Sequence, residues 1–292
     1  MSTIAKTVVA TGASSGLGFE VIKQLLAQTQ PYKFILGARD VGKTQAAYAK
    51  LGFDGAKHSL TVVPLELSDL KGTRIFAQQT LEKLGPENLD YLMLNAGITS
   101  ATANPSPFGS SKWSESYIVN HLSQHYLVHL LREKLVASKA RIVFVSSGAV
   151  TRVADPSILE SELKANTGTV GHANYSNSKF VQLLGAHWWR RQLKGQVTVV
   201  AVSPGLIPNT GIGRGSGMTL TMDMPDAKTV AQGAASILRA FTRDDFPADP
   251  EQIFLTSWGE WWSKDVYGKT LDKELQDRFC PSKEEIEKEE GL

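Results

Sequence analysis

Short apolar runs alternate along the chain with longer, periodic segments. The runs are "KTVVA" (6–10), "KFILG" (33–37), "LTVVPL" (60–65), "LDYLML" (89–94), "RIVFV" (141–145), "VTVVAV" (197–202) and "QIFLT" (252–256). Most are rich in Val, Ile and Leu without strict apolar–polar alternation, the pattern of strands buried on both faces. Segments 17–28, 69–84, 113–135, 174–194 and 226–241 instead repeat their apolar positions at helical spacing. Strand–helix alternation of this kind predicts an α/β fold: a doubly wound parallel sheet of about seven strands with helices on both faces. No repeat, low-complexity tract or Pro/Gly-rich linker divides it. Residues 1–257 therefore read as one domain. Residues 258–292, Trp-rich and then acidic and Lys-rich ("PSKEEIEKEEGL"), read as a C-terminal helical extension of that domain.

Composition narrows the class. The chain has 292 residues, 42% of them hydrophobic and 21% charged. It is long enough to bury a large core without covalent staples. A net charge of +2 with no basic block argues against a nucleic-acid partner. The single cysteine, Cys280, leaves no internal disulfide or multi-thiolate metal site and fits a reducing compartment. The opening "MSTIAKTVVATG" has no apolar run suited to a signal peptide or membrane span, so the expectation is cytoplasmic residence without membrane attachment.

Sheets of this type bind ligands at the carboxyl ends of their strands. The first strand leads into "TGASSGLG" (11–18) just before a helical segment. Gly12 suits a tight turn, Gly16 a close backbone approach to a pyrophosphate, and Gly18 tight helix–strand packing, with the helix amides facing the phosphates. A second feature is "NYSNSKFVQLL" (174–184), which places Tyr175 and Lys179 four residues apart at the head of a helical segment. On a helix they share one face, so a phenol and an ammonium act on the same small volume.

These stretches, together with "NAG" (95–97), Asn120 in a helical segment, "VSS" (145–147) and "SPG" (203–205), resemble the short-chain dehydrogenase/reductase family, in the family's order. The motifs span residues 11 to 210. "PGLIPNTGI" and the long segment before Tyr175 look most like its retinol-dehydrogenase and protochlorophyllide-reductase side. The resemblance implies a Rossmann-type fold and an oxidoreductase with Asn120, Ser147, Tyr175 and Lys179 as its catalytic set. In that scheme Tyr175 is the general acid/base, activated by the Lys179 cation, which favours the phenolate. Ser147 donates to the substrate oxygen. Asn120 holds a water that relays protons to Lys179. The second serine of the pair, Ser147, is preferred to Ser146 because a one-residue slip reverses the side-chain face.

For the cofactor, the resemblance implies Gly12, Ser14, Ser15, Gly16, Leu17 and Gly18 around the pyrophosphate. Asn95, Ala96 and Gly97 lie under the adenosine ribose, although Leu94 replaces the family's first Asn. Glu66 and Leu67 lie at the adenine, where relatives usually have Asp instead of Glu66, so that contact is longer or falls to Asp69. Tyr175 and Lys179 serve the nicotinamide ribose, and Pro204, Gly205, Ile207 and Thr210 its carboxamide. NAD-dependent members carry an acid after the second strand; here Ala38 and Arg39 stand in "ILGARD", which favours NADP(H), with Arg39 on the 2′-phosphate. Asp40 reads as the N-cap of the next helix. The expected reaction is NADPH-dependent reduction of a ketone or aldehyde in a small, largely apolar molecule, reversible to alcohol oxidation. The alternatives are a carbon–carbon double-bond reductase of the protochlorophyllide type, or a non-catalytic NADP(H) sensor. The first lacks its cysteine donor here, and the second does not fit a complete catalytic set.

Other features carry less. His121, His125 and His129 recur every four residues but suggest no further ligands, so helix packing and capping are expected rather than a metal site. "GIGRGSG" (211–217) lacks the Lys-Ser/Thr of a phosphate loop and reads as a lid. Trp258, Trp261 and Trp262 read foremost as core packing, and "EEIEKEE" (284–290) as a solvated helix face. Substrate identity resides in 98–112, 148–172, 206–226 and the Trp-rich tail. The 28-residue separation of Ser147 and Tyr175 exceeds that of most relatives. The intervening segment, with a short helix near Pro156, either shapes the substrate mouth or covers the helices through which relatives dimerise. A monomer is slightly favoured over a homodimer.

Overall fold

The computed structural model describes residues 4–100, 111–208, 210–212 and 220–292. Among these, seven strands form one parallel sheet: β1 (Lys6–Thr11), β2 (Tyr32–Ala38), β3 (Ser59–Pro64), β4 (Tyr91–Leu94), β5 (Arg141–Val145), β6 (Thr198–Val202) and β7 (Phe254–Leu255). Their order is β3-β2-β1-β4-β5-β6-β7. Each strand feeds two buried layers. Val9, Ile35, Leu92, Ile142 and Val199 enter one core, while Val8, Phe34, Met93, Val143 and Val200 enter the other. This two-faced burial is why the runs show no alternation. Helices α3 (Leu70–Leu84), α5 (Ser123–Ala137) and α7 (Gly171–Gln192) cover the first core, and α1 (Gly16–Leu26) and α8 (Val230–Thr242) the second.

The order reverses at β1, which pairs with β2 on one side and β4 on the other. Because Thr11 lies level with Leu94, the turns after β1 and β4 emerge side by side, and the cleft opens there. Asp40 caps α2 (Val41–Ala49) by accepting from the Lys43 amide at 2.9 Å, as expected. The helix itself was not legible, because it buries only Thr44 and Tyr48 and so lacks an apolar period. The segment read as one helix over 113–135 is a short α4 (Glu115–Tyr117), a π-helical turn (Ile118–Leu122) and α5. Asn120 sits in that π turn.

Segment 148–172 begins with a 3-10 helix (Gly148–Arg152) at the cleft. It continues through a 3-10 turn at Pro156–Ile158 into α6 (Leu159–Glu162), the short helix expected near Pro156. It then pairs with the chain ahead of α4, Ser114 donating its amide to the Leu163 carbonyl at 2.9 Å. The tail supplies α9 (Lys273–Phe279) and α10 (Lys283–Glu290), laid against α7 and α5. The histidine column holds it: His121 Nε2 meets the Phe279 carbonyl at 2.7 Å and His125 Nε2 the Pro281 carbonyl at 2.9 Å. Trp189 Nε1 donates to His125 Nδ1 at 2.9 Å, which fixes the proton of His125 on Nε2. The tail thus lies over α5 and α7, and the start of segment 148–172 also packs on α7.

The tryptophans divide. Trp262 pairs with the β7 backbone and packs on the first core, and Trp261 packs half-buried on the second. Trp258 departs from the expected core packing. It is 52% exposed, at a turn of positive-φ Gly259 that points it outward, and donates Nε1 to Glu260. The lid read at 211–217 lies, from 213 on, outside the described residues, as do 101–110 of the 98–112 loop. Among the described residues no helix is long and apolar enough to cross a membrane.

Candidate active site

Where β1 ends, the chain turns through Gly12 at φ +65° and Gly16 at φ +56°, the left-handed region that favours glycine. A Cβ on Gly12 would lie 2.6 Å from the Ala96 Cα, and one on Gly18 would lie 2.3 Å from the Gly12 carbonyl oxygen. Around Gly16 the space is open, with only Thr210 near 4 Å. Gly12 and Gly18 therefore close the turn while Gly16 bares it. Asn95 locks the pair of turns, its Nδ2 donating to the Gly12 carbonyl at 2.9 Å. Thr11 Oγ1 accepts from the Asn95 and Ala96 amides at 3.1 Å and donates to Gln124 Oε1 at 3.2 Å. Ser15 begins α1 in extended backbone, with no side-chain cap on the helix amides. An uncapped helix N-terminus behind a bare glycine turn suits an anion.

These turns floor a cleft of about 730 Å³ that takes in every expected cofactor-contacting residue except Gly18, which lies beneath it. At one end stand Arg39 and Glu66, joined by Glu115, whose carboxyl is pushed up by burial and by Glu66 and held down by Arg39. Glu66 Oε1 accepts from the Ser68 hydroxyl at 2.7 Å and the Ser68 amide at 3.0 Å. Asp69, the alternative to Glu66, caps α3 by accepting from the Lys71 amide and does not line the cleft. Leu67 is fixed through its carbonyl, which accepts from the Ser123 hydroxyl. Pro204, Gly205, Ile207 and Thr210 line the opposite wall, Gly205 at φ +92°.

At the other end the structure gathers Ser147, Tyr175 and Lys179. Ser147 follows β5 directly, and α7 delivers Tyr175 and Lys179 one turn apart. The Tyr175 phenol is pushed up by burial, opposed by the adjoining Ser147 hydroxyl and by the Arg152 charge. Burial is the largest influence on the phenol, and Ser147 and Arg152 join the lysine expected to draw it down. Lys179 is buried to 2% exposure, and its ammonium is lowered to about 7 by loss of solvent. Its Nζ donates to the Val145 carbonyl at 2.9 Å and to Gln182 Oε1 at 3.0 Å. Ser146 also borders the cleft, but its hydroxyl is buried without a partner among the described residues.

Asn120, fully buried, clamps the turn after β4. Its Oδ1 accepts from the Ile98 amide at 2.8 Å, and its Nδ2 donates to the Ile98 carbonyl and to Ser178 Oγ, each at 2.9 Å. The same turn brings Gly97 within reach of both Asn120 and Lys179. Thr11, Gln124, Ser178 and Gln182, which steady this region, went unnoticed in the sequence, as did Glu115, Arg152 and His172 in the cleft wall. Thr11 opens the glycine motif and Arg152 sits five residues after Ser147, but which way they face depends on tertiary packing alone.

Residues 6–157 match the family model described as short chain dehydrogenase. A short-chain dehydrogenase/reductase of Pestalotiopsis microspora is 58% identical over 98% of this chain and 99% of its own. Human retinol dehydrogenase 12 is 31% identical, the match covering 80% of this chain and 72% of that protein. Among solved structures, the NADPH-bound carbonyl reductase from chicken fatty liver superposes with a TM-score of 0.67. It covers 89% of this chain and 99% of its own at 23% identity, a likeness of fold.

Proposed function

The chain belongs to the short-chain dehydrogenase/reductase family of oxidoreductases, and from that premise we propose that it reduces a ketone or aldehyde of a small molecule with NADPH, using Tyr175 as the acid. One observation carries the reading. A single cleft joins the bare glycine turn and Arg39 at one end to Ser147, Tyr175 and Lys179 at the other.

The residues fit the dinucleotide. The glycine turn and the α1 amides would hold its pyrophosphate, with Arg39 on a 2′-phosphate and Ala38 in place of the acid that NAD-dependent members carry after the second strand. Asn95–Gly97 would lie under the adenosine ribose, Glu66 and Leu67 at the adenine, and Pro204, Gly205, Ile207 and Thr210 at the carboxamide. When bound, NADPH supplies the hydride. Ser147 donates a hydrogen bond to the substrate oxygen as charge builds on it. Tyr175 gives that oxygen the phenolic proton, which its raised, buried phenol retains at neutral pH. Lys179 stabilises the resulting phenolate and would hold the nicotinamide ribose, and Asn120 keeps the Gly97–Ile98 turn in place beside it. Cys280, the donor a double-bond reductase of the protochlorophyllide type would need, is buried within the tail and absent from the cleft lining. That weighs against the rival reading. The test is a panel of ketones, aldehydes and alcohols followed by absorbance of the reduced nicotinamide. Turnover of carbonyl members is expected, and reduction only of conjugated double bonds contradicts the proposal.

A further inference from the structure

The wall of the cleft beside Tyr175 holds two groups to which the catalytic scheme gives no contact with the substrate. Arg152 ends the 3-10 helix that starts after Ser147, and His172 lies three residues before Tyr175, one turn away on α7. The two elements pack together, so both residues border the cleft at its catalytic end. Arg152 has no ion-pair or hydrogen-bond partner among the described residues. His172 Nε2 is buried and likewise unpartnered. A buried polar nitrogen left unbonded is costly, and a guanidinium without a carboxylate is a donor fork awaiting an acceptor.

Among the described residues lining the cleft, no carboxylate competes for them. Of the acids lining the cleft, Glu66 and Glu115 stand at the far end with Arg39. Asp226 is occupied, accepting from the Ser257 hydroxyl at 2.5 Å with Lys228 Nζ at 3.6 Å. The catalytic end therefore carries excess positive charge, against apolar side chains such as Leu206 and Leu220.

We propose that Arg152 and His172 form a recognition subsite for an anionic oxygen, a carboxylate or an acidic phenolate, on the carbonyl substrate. Resting on the reductase reading above, this sharpens the substrate class: an apolar body bearing one ionised oxygen beside the reacting carbonyl. The guanidinium takes the anion and the imidazole donates a second hydrogen bond, which also fixes which way the carbonyl faces Ser147 and Tyr175.

The test compares matched aromatic aldehydes and ketones: a carboxylic acid against its methyl ester, and an acidic phenol against its methyl ether. The unmutated enzyme should favour the ionised member of at least one pair by about tenfold or more in kcat/KM, and added salt should reduce that preference. Arg152→Gln should bring the ratio close to one, Arg152→Lys should keep part of it, and His172→Ala should lower it mainly through KM. Reading the ratio removes any effect of Arg152 on Tyr175 itself, because that acts on both members alike. The same pairs are titrated into NADPH-loaded protein. Preferential binding of the ionised members without turnover supports the subsite and sinks the reductase reading. Equal use and equal binding of both members, or an Arg152→Gln variant that lowers both equally, overturns the subsite.

Discussion

Lowering the pH from 8 to 5 should loosen the tail that backs α7. His121 and His129 each have a folded pKa of about 4 against an ordinary value of 6.5, mainly because burial disfavours their charged form. The unfolded chain therefore takes up their protons first. Their contribution to stability is complete above about pH 6.5 and is lost as the pH falls toward 4. At pH 5 each costs about 2 kcal/mol, together on the order of 4 kcal/mol against a typical total of roughly 5–15 kcal/mol. His125 and His187 are also lowered by burial and add in the same direction. The rings hold the carbonyls of Phe279 and Pro281, and His121 adjoins Asn120 in the π turn. Urea unfolding at pH 8 and pH 5 measures the effect, with an expected fall in midpoint of roughly 1–2 M. His121→Gln keeps a donor for the Phe279 carbonyl but cannot take up the proton, and should remove a share of the fall worth about 2 kcal/mol. A midpoint unchanged between the two pH values refutes the reasoning.

Two further outcomes test the ends of the account. Arg39→Ala should weaken NADPH binding by roughly 10–100-fold, the worth of a charge-assisted contact, while leaving NADH nearly unaffected; equal affinities for NADPH and NADH in the unmutated protein, measured by titration, contradict the assignment. With α9 and α10 laid over α7 and α5, the protein should remain a monomer in light scattering across concentrations, and a persistent dimer means that pairing uses another surface.

The sheet was legible because each strand feeds two cores, which leaves an unbroken run of Val, Ile and Leu. Caps were legible as well: Asp40 announces α2 even though the helix behind it has too thin an apolar face to be seen. The π turn at Ile118–Leu122 had no signal, since its register depends on how α4 and α5 meet α7 rather than on any residue type. The Tyr175–Lys179 pair and the glycine turn were visible from spacing. What could not be seen was the balance around the phenol, because burial and the approach of Arg152 arise only once segment 148–152 has folded against α7. Trp258 was misread for a related reason. Its neighbours Trp261 and Trp262 find the sheet edge, and the turn at Gly259 leaves it outside.

The most direct test of the central claim is the single-turnover rate of Tyr175→Phe with bound NADPH and a good carbonyl substrate. The substitution keeps the ring and its packing on α7 but removes the proton. Turnover should fall by at least about 10²–10⁴, the usual range for losing a general acid, with NADPH affinity nearly unchanged. Near-normal turnover by Tyr175→Phe would contradict the account.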